Sequence, residues 1–166
     1  RAIALQPDGK ILVAGYCLNG TSYDFCLARY QPNGTLDTSF DSDGKVVTAI
    51  GSNTDEARAL ALQPDGKIVV AGRCFNVSTY DFCLARYHSS GALDTSFNTT
   101  GKVVSIFGSS SNNEASALAL QPDGKIVVAG SCDGDYYIFC LARYVASGAL
   151  DTSFGSGGKV ATNIES

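Results

Sequence analysis

Apolar positions along this chain fall into short runs bounded by Gly, Pro, Asp and Asn, and none of the runs reads as a helix. The first are AIALQ at 2–6, KILVAGYC at 10–17, DFCLARY at 24–30 and GKVVTAI at 44–50, separated by PDG, a loop and a QPNG turn. Each reads as a strand. Pro7 fixes φ and Gly9 permits what a tight turn requires, so the first two strands form a hairpin, and Pro64 with Gly66 and Pro122 with Gly124 repeat it. Along the second strand Ile11, Val13 and Cys17 point one way while Leu12, Ala14 and Tyr16 point the other, so both faces are apolar. Such a sheet must be covered on both sides. With no helix in the sequence, the cover is another sheet.

The pattern returns. ALALQPDGKIVVAG stands unchanged at 59–72 and 117–130, and residues 2–15 differ from it only at Ile3 and Leu12. FCLARY recurs at 25–30, 82–87 and 139–144, LDTSF at 36–40, 93–97 and 150–154, and GKV at 44–46, 101–103 and 158–160. Residues 1–166 are therefore one repeat array with units 1–57, 58–115 and 116–166. Four short strands in a unit of this length predict an all-β fold of tandem four-stranded antiparallel blades, β-propeller-like, with a β-solenoid stack as the alternative. The same segments resemble the delta-60 tandem repeats, which occur in multi-copy arrays of bacterial secreted and surface proteins. That resemblance implies a propeller-type fold and brings no catalytic or binding residues with it. The sequence departs from the family where Cys26, Cys83 and Cys140 replace a small residue and a second cysteine follows each VAG strand.

Cys17 with Cys26, Cys74 with Cys83, and Cys132 with Cys140 stand at the two ends of one hairpin loop. The expectation is that each pair faces across adjacent strands, close enough to bond. A metal site fits less well, because the spacing is not Cys-x-x-Cys and the single histidine, His88, aligns with Gln31 and Val145. Free buried thiols are the other alternative. Disulfides imply an oxidising compartment, so the protein is expected outside the cell or on its surface. Arg29, Arg86 and Arg143 are charges inside apolar strands, and Asp37, Asp94 and Asp151 follow each by eight positions across a turn. They read as a repeated structural ion pair, against a solvated arginine or a ligand contact.

Composition narrows the function more than it defines it. The net charge is −4 and the twelve Lys and Arg are scattered singly, which leaves no basic stripe for nucleic acid. No apolar run approaches the roughly 20 residues of a spanning helix. Arg1 already lies inside a repeat unit, so the chain is expected to be either a processed product or a section of a longer array. Asp8, Asp65 and Asp123 sit in the QPDG turns, where they satisfy local amides. DSDG at 41–44 and DGD at 133–135 are weak fragments of a calcium loop, GSGGKV lacks the Ser or Thr of a phosphate loop, and a lone His88 offers no nucleophile–base pair. No enzyme activity, metal or cofactor is expected. The loops at 18–24, 75–81 and 133–138 carry Asn19, Tyr23, Asp24, Asn76, Tyr80, Asp81, Asp133, Asp135 and Tyr137, an aromatic and amide set that would suit a glycan. Asn19, Asn33, Asn76 and Asn98 each open an Asn-x-Ser/Thr sequon.

Three blades cannot close on themselves, so two apolar flanks are expected to need a partner, and the first partner candidate is the protein itself. If each GKV strand paired with the following unit's ALALQ, the strand at 158–164 would be left as a spare for a second chain. The function these features suggest is a non-enzymatic, extracellular structural repeat protein that assembles head to tail into a ring or filament. A lectin-like module using the hairpin loops is the alternative.

Overall fold

The computed structural model describes residues 1–108, 112–133 and 137–163. Its regular elements are twelve strands in three antiparallel sheets. The first sheet holds β1 (Ala2–Leu5), β2 (Ile11–Asn19), β3 (Ser22–Tyr30) and β4 (Lys45–Thr48). The second holds β5 (Asp55–Leu62), β6 (Ile68–Asn76), β7 (Thr79–Tyr87) and β8 (Lys102–Ser105), and the third β9 (Asn113–Leu120), β10 (Ile126–Asp133), β11 (Tyr137–Tyr144) and β12 (Lys159–Asn163). In each sheet the spatial order is the chain order. The turns do what their residues dictate: Gly9 at φ 82° donates its N–H to the Gln6 carbonyl at 2.9 Å, and Asp8 accepts the Lys10 N–H.

Two expectations need correction. The strand at 158–164 is no spare: β12 pairs with β11 of its own unit, from Ile138 opposite Asn163 to Ala142 opposite Lys159. The turn-rich connection at 145–158, pinned by Arg143 and Asp151, returns the chain to the adjacent edge, so every sheet is completed within its own unit. The cysteines, moreover, do not face each other directly. Asn19 pairs with Ser22 at the hairpin tip, and counting back from that two-residue loop puts Cys17 opposite Asp24 and Cys26 opposite Gly15. The other units repeat this, with Cys83 opposite Gly72 and Cys140 opposite Gly130. All three pairs are disulfides nonetheless, bonded along the diagonal with 5.8 Å between Cα atoms.

The second sheet also begins earlier than ALALQ. Asp55, Glu56 and Ala57 are already paired with Cys74, Arg73 and Gly72, and Arg58 is the extra residue of a β-bulge. Ser116 takes the same place in the third sheet.

The core lies between sheets. Leu12, Ala14, Phe25, Leu27 and Val46 of the first pack against Ala57, Ile68, Val70, Cys74, Cys83, Ala85 and Tyr87 of the second. The opposite face of the second, with Val69, Ala71, Phe82, Leu84 and Val103, packs against Ala115, Ile126, Val128, Cys132, Cys140, Ala142 and Tyr144 of the third. Each sheet thus has a disulfide face and a Phe-Leu face, and the Phe-Leu face of one sheet always meets the disulfide face of the next.

Candidate functional site: the joints and the two open faces

At the first joint the buried Tyr87 hydroxyl donates to Thr48 Oγ1 at 2.9 Å, and at the second Tyr144 donates to Ser105 Oγ at the same distance. Burial pushes both phenols up, so they remain neutral donors. Arg29 donates from Nε to Asp37 at 2.7 Å and from Nη1 to the carbonyl of Ser89, in the turn after β7 of the second unit, at 2.6 Å, and it lies over the Phe40 ring. Arg86 repeats this with Asp94 at 2.8 Å, the Ala146 carbonyl at 2.6 Å and Phe97. The arginine therefore ties its own turn to the next blade, a role its sequence position does not disclose. Two backbone bonds run alongside, from the Asp41 N–H to the Ser90 carbonyl and from the Asn98 N–H to the Ser147 carbonyl.

In the third sheet Arg143 keeps Asp151 at 2.9 Å and the Phe154 ring, but no next blade stands beside it. Its side chain is 19% exposed where that of Arg86 is 6%. The aspartates are all acidified. The Ser39 hydroxyl, assisted by Lys10 and Arg29, holds Asp37 well below the usual carboxylate range, and Ser153 does the same to Asp151, down to about 2. For Asp94, burial acts upward and is outweighed by Ser96 and Arg86.

The outer faces of the outer sheets are uncovered. On the first sheet Val13, Gly15, Cys17, Cys26 and Ala28 line a depression of about 250 Å³. On the third, Ala117, Ala129, Phe139, Leu141 and Thr162 line one of about 540 Å³. Phe139 is 61% exposed, whereas its counterparts Phe25 and Phe82 are fully buried. The repeat alignment makes the comparison direct. Val127, Ala129, Phe139, Leu141 and Val160 on the open third face match Val69, Ala71, Phe82, Leu84 and Val103, which are buried in the second joint. Ile11, Val13, Ala28 and Tyr30 on the open first face match Ile68, Val70, Ala85 and Tyr87, which are buried in the first joint.

A family model described as "Domain of unknown function (DUF5122) beta-propeller" matches residues 6–40, 63–97 and 121–154. The chain belongs to the DUF5122 β-propeller family. Each match runs from a QPDG turn through LDTSF, so the family pattern covers the central hairpin and the Arg–Asp turn of every blade. A crystal structure of a protein of unknown function from Dyadobacter fermentans DSM 18053 is similar, at 14% identity and a TM-score of 0.53. The alignment covers 89% of this chain and 47% of that one, so this chain spans about half the length of its structural neighbour. No curated protein matches the chain.

In the DUF5122 blades described here the hairpin-loop amides turn inward. Asn19 donates to Asp24 at 2.7 Å and Asn76 to Asp81 at 3.1 Å, and both aspartates are buried. Tyr23 packs edge-on against Tyr16, and Tyr80 lies against Phe75 and beneath the Arg73 guanidinium. Asp135 lies outside the described residues, and only the backbones of Asp133 and Tyr137 are described. Asp43 of the DSDG stretch accepts the Lys45 N–H at 2.8 Å, as a turn aspartate does. Among the described residues no group of three or more His, Cys, Asp or Glu gathers as metal ligands, and no helix is long and apolar enough to cross a membrane.

One set of residues is not marked by the repeat. Glu56 accepts from Arg58 and Arg73, both at 2.9 Å, and Glu114 pairs with the same two arginines at 3.3 and 3.1 Å across the second joint. Glu56 and Glu114 hold the same place beside the bulge, but Arg58 and Arg73 give way to Ser116 and Ser131 in the third unit, so the network as a whole does not repeat.

Proposed function

We propose that this chain is an exported, non-catalytic structural segment whose task is to add propeller blades to a larger assembly, associating head to tail through its two open faces. The observation that carries this is the match of faces: one end presents the Phe-Leu half of a joint and the other end the disulfide half. Leaving both in water exposes apolar surface of the kind that marks an interaction site on a soluble protein. The three disulfides fit an oxidising setting, and the likeness to the delta-60 arrays of secreted proteins favours export. The buried Arg–Asp pairs and inward-turned loop amides fit a structural rather than a ligand-binding role. The test is the mass in solution of the native, disulfide-intact protein by light scattering. A species of at least twice 17.3 kDa is expected, and a monodisperse monomer at high micromolar concentration overturns the proposal.

A further inference from the structure

We infer that the first joint is closed by one proton shared between Asp55 and Asp24, and that its loss loosens this joint and not the second, so that pH sets how firmly the first blade is held. Both residues belong to strands of that joint, β5 and β3, and are at most 2% exposed, so what covers the outer faces does not enter.

The second joint supplies the comparison. There Asp81 Oδ2 accepts the Asn76 amide at 3.1 Å and Oδ1 accepts the Asn113 amide, also at 3.1 Å, so both oxygens of a buried carboxylate are satisfied. In the first joint Asp24 holds the place of Asp81, each opposite a cysteine, and its Oδ2 accepts the Asn19 amide at 2.7 Å. The place of Asn113 is taken by Asp55, each being the first residue of its inner strand. A carboxylate has no hydrogen to give. Asp24 Oδ1, the atom that matches the one Asn113 serves, is accordingly buried with no partner. An anionic oxygen buried beside a second buried anion is unfavourable through both desolvation and repulsion, and one proton relieves both. The oxygens show where it sits. Asp55 Oδ2 accepts the Ile50 N–H at 2.6 Å and the Gly51 N–H at 3.0 Å, whereas Oδ1 has only a longer contact with Gly51, at 3.2 Å. The proton therefore rests on Asp55 Oδ1 and is donated to Asp24 Oδ1, repeating with O–H what Asn113 does with N–H. When it leaves it passes to water, and two carboxylates remain in one buried place.

The other ionisable groups on the surrounding strands are engaged elsewhere. Glu56, Arg58 and Arg73 pair with one another and with Glu114, Arg29 pairs with Asp37, and Tyr16 packs against Tyr23 with Arg1 over its ring. Burial raises the Asp55 pKa against the Ile50 and Gly51 donors, and the charge of Asp24 adds to the rise. Because the folded value lies above the unfolded one, the joint has its full strength at low pH and loses it as pH rises through the folded value.

The experiment is hydrogen–deuterium exchange of the intact protein at about pH 5 and about pH 9, corrected for intrinsic exchange, comparing amides of β2 and β3 with those of β10 and β11. At the higher pH, protection of the first pair should fall at least about threefold relative to the second. Asp55→Asn, which restores the amide of the second joint, should abolish the difference, and Asn113→Asp should transfer it to the second joint. If Asn113→Asp does not fold, Asp24→Asn takes its part, because an amide at 24 can donate to Asp55 and should abolish the difference as well. A loss of protection spread evenly over all three sheets, or one that survives Asp55→Asn, overturns the switch. So does recovery of protection at the higher pH on adding millimolar calcium, since a cation would then hold the two carboxylates in place of the proton.

Discussion

Asp55 and Asn113 hold the same place in the second and third sheets, yet they meet their neighbours with opposite chemistry. The Asn113 amide donates to Asp81 Oδ1 at 3.1 Å, while Asp55 turns a second carboxylate toward buried Asp24 and is held by the Ile50 and Gly51 N–H groups. Burial first, and then the charge of Asp24, push the Asp55 carboxyl up against those backbone donors. Its folded form therefore holds a proton at pH values where the unfolded chain has lost it. The stability from this group is present at low pH and is lost as pH rises through the folded pKa. Asp55→Asn is expected to raise stability by about 1 kcal/mol at pH 7 and by less at pH 4, read from urea unfolding at both pH values. Asp94 and Asp151 have the opposite slope, because their lowered pKa values make the Arg–Asp turns weaken as acid titrates them, Asp151 near 2. Arg86→Ala strands buried Asp94 and should cost about 3–5 kcal/mol, and Arg143→Ala, at the more exposed copy, clearly less. Equal losses in dilute monomer would show that the next blade's carbonyl adds nothing.

At the scale of the strand, identical sequence does not mean identical burial. In β2 the residues Leu12 and Ala14 are buried and Ile11 and Val13 half-buried; in β10 the order is reversed, with Ile126 and Val128 buried. In β6, covered on both faces, Ile68 to Ala71 are all buried. Apolar positions on both faces thus announce what a strand is able to bury, and its neighbours decide what it does bury. The bulge gives a sharper case. A Cβ on Gly72 would overlap the Glu56 carbonyl oxygen, whereas one on Gly15 would meet only the flexible Arg1 side chain. Gly72→Ala should cost about 2 kcal/mol or more and Gly15→Ala under about 1, as measured by thermal unfolding. Removing one buried disulfide, as in the pair Cys74→Ala with Cys83→Ala, should cost about 2–3 kcal/mol. Strands, turns and cysteine partners were legible because each is a local rule repeated three times. The diagonal register was not, since it depends on the hairpin tip, nor was the early start of β5, since Asp55 to Arg58 belong to the variable connector.

At the scale of the molecule, the described residues form three sheets with two joints between them and leave the outer faces of the first and third sheets uncovered. That each sheet needs cover on both faces was legible in strands such as Ile11 to Ala14, apolar on both sides. Which face of each strand turns toward which neighbour required the structure. The open faces are apolar and lack the Glu–Arg network of the second joint, so association through them should respond weakly to ionic screening. Raising sodium chloride to about 0.5 M should leave the oligomer mass unchanged, and dissociation there would point to a charged interface instead.

The placement of the three crosslinks has a last consequence. Those of the second and third blades are walled in by the neighbouring sheet, while Cys17 and Cys26 lie half-exposed on the uncovered first face. A mild thiol reagent should open that one bond ahead of the other two, and only while nothing sits on it. That bond thus gauges whether anything covers the outer face of the first sheet, readable by counting alkylated sulfurs.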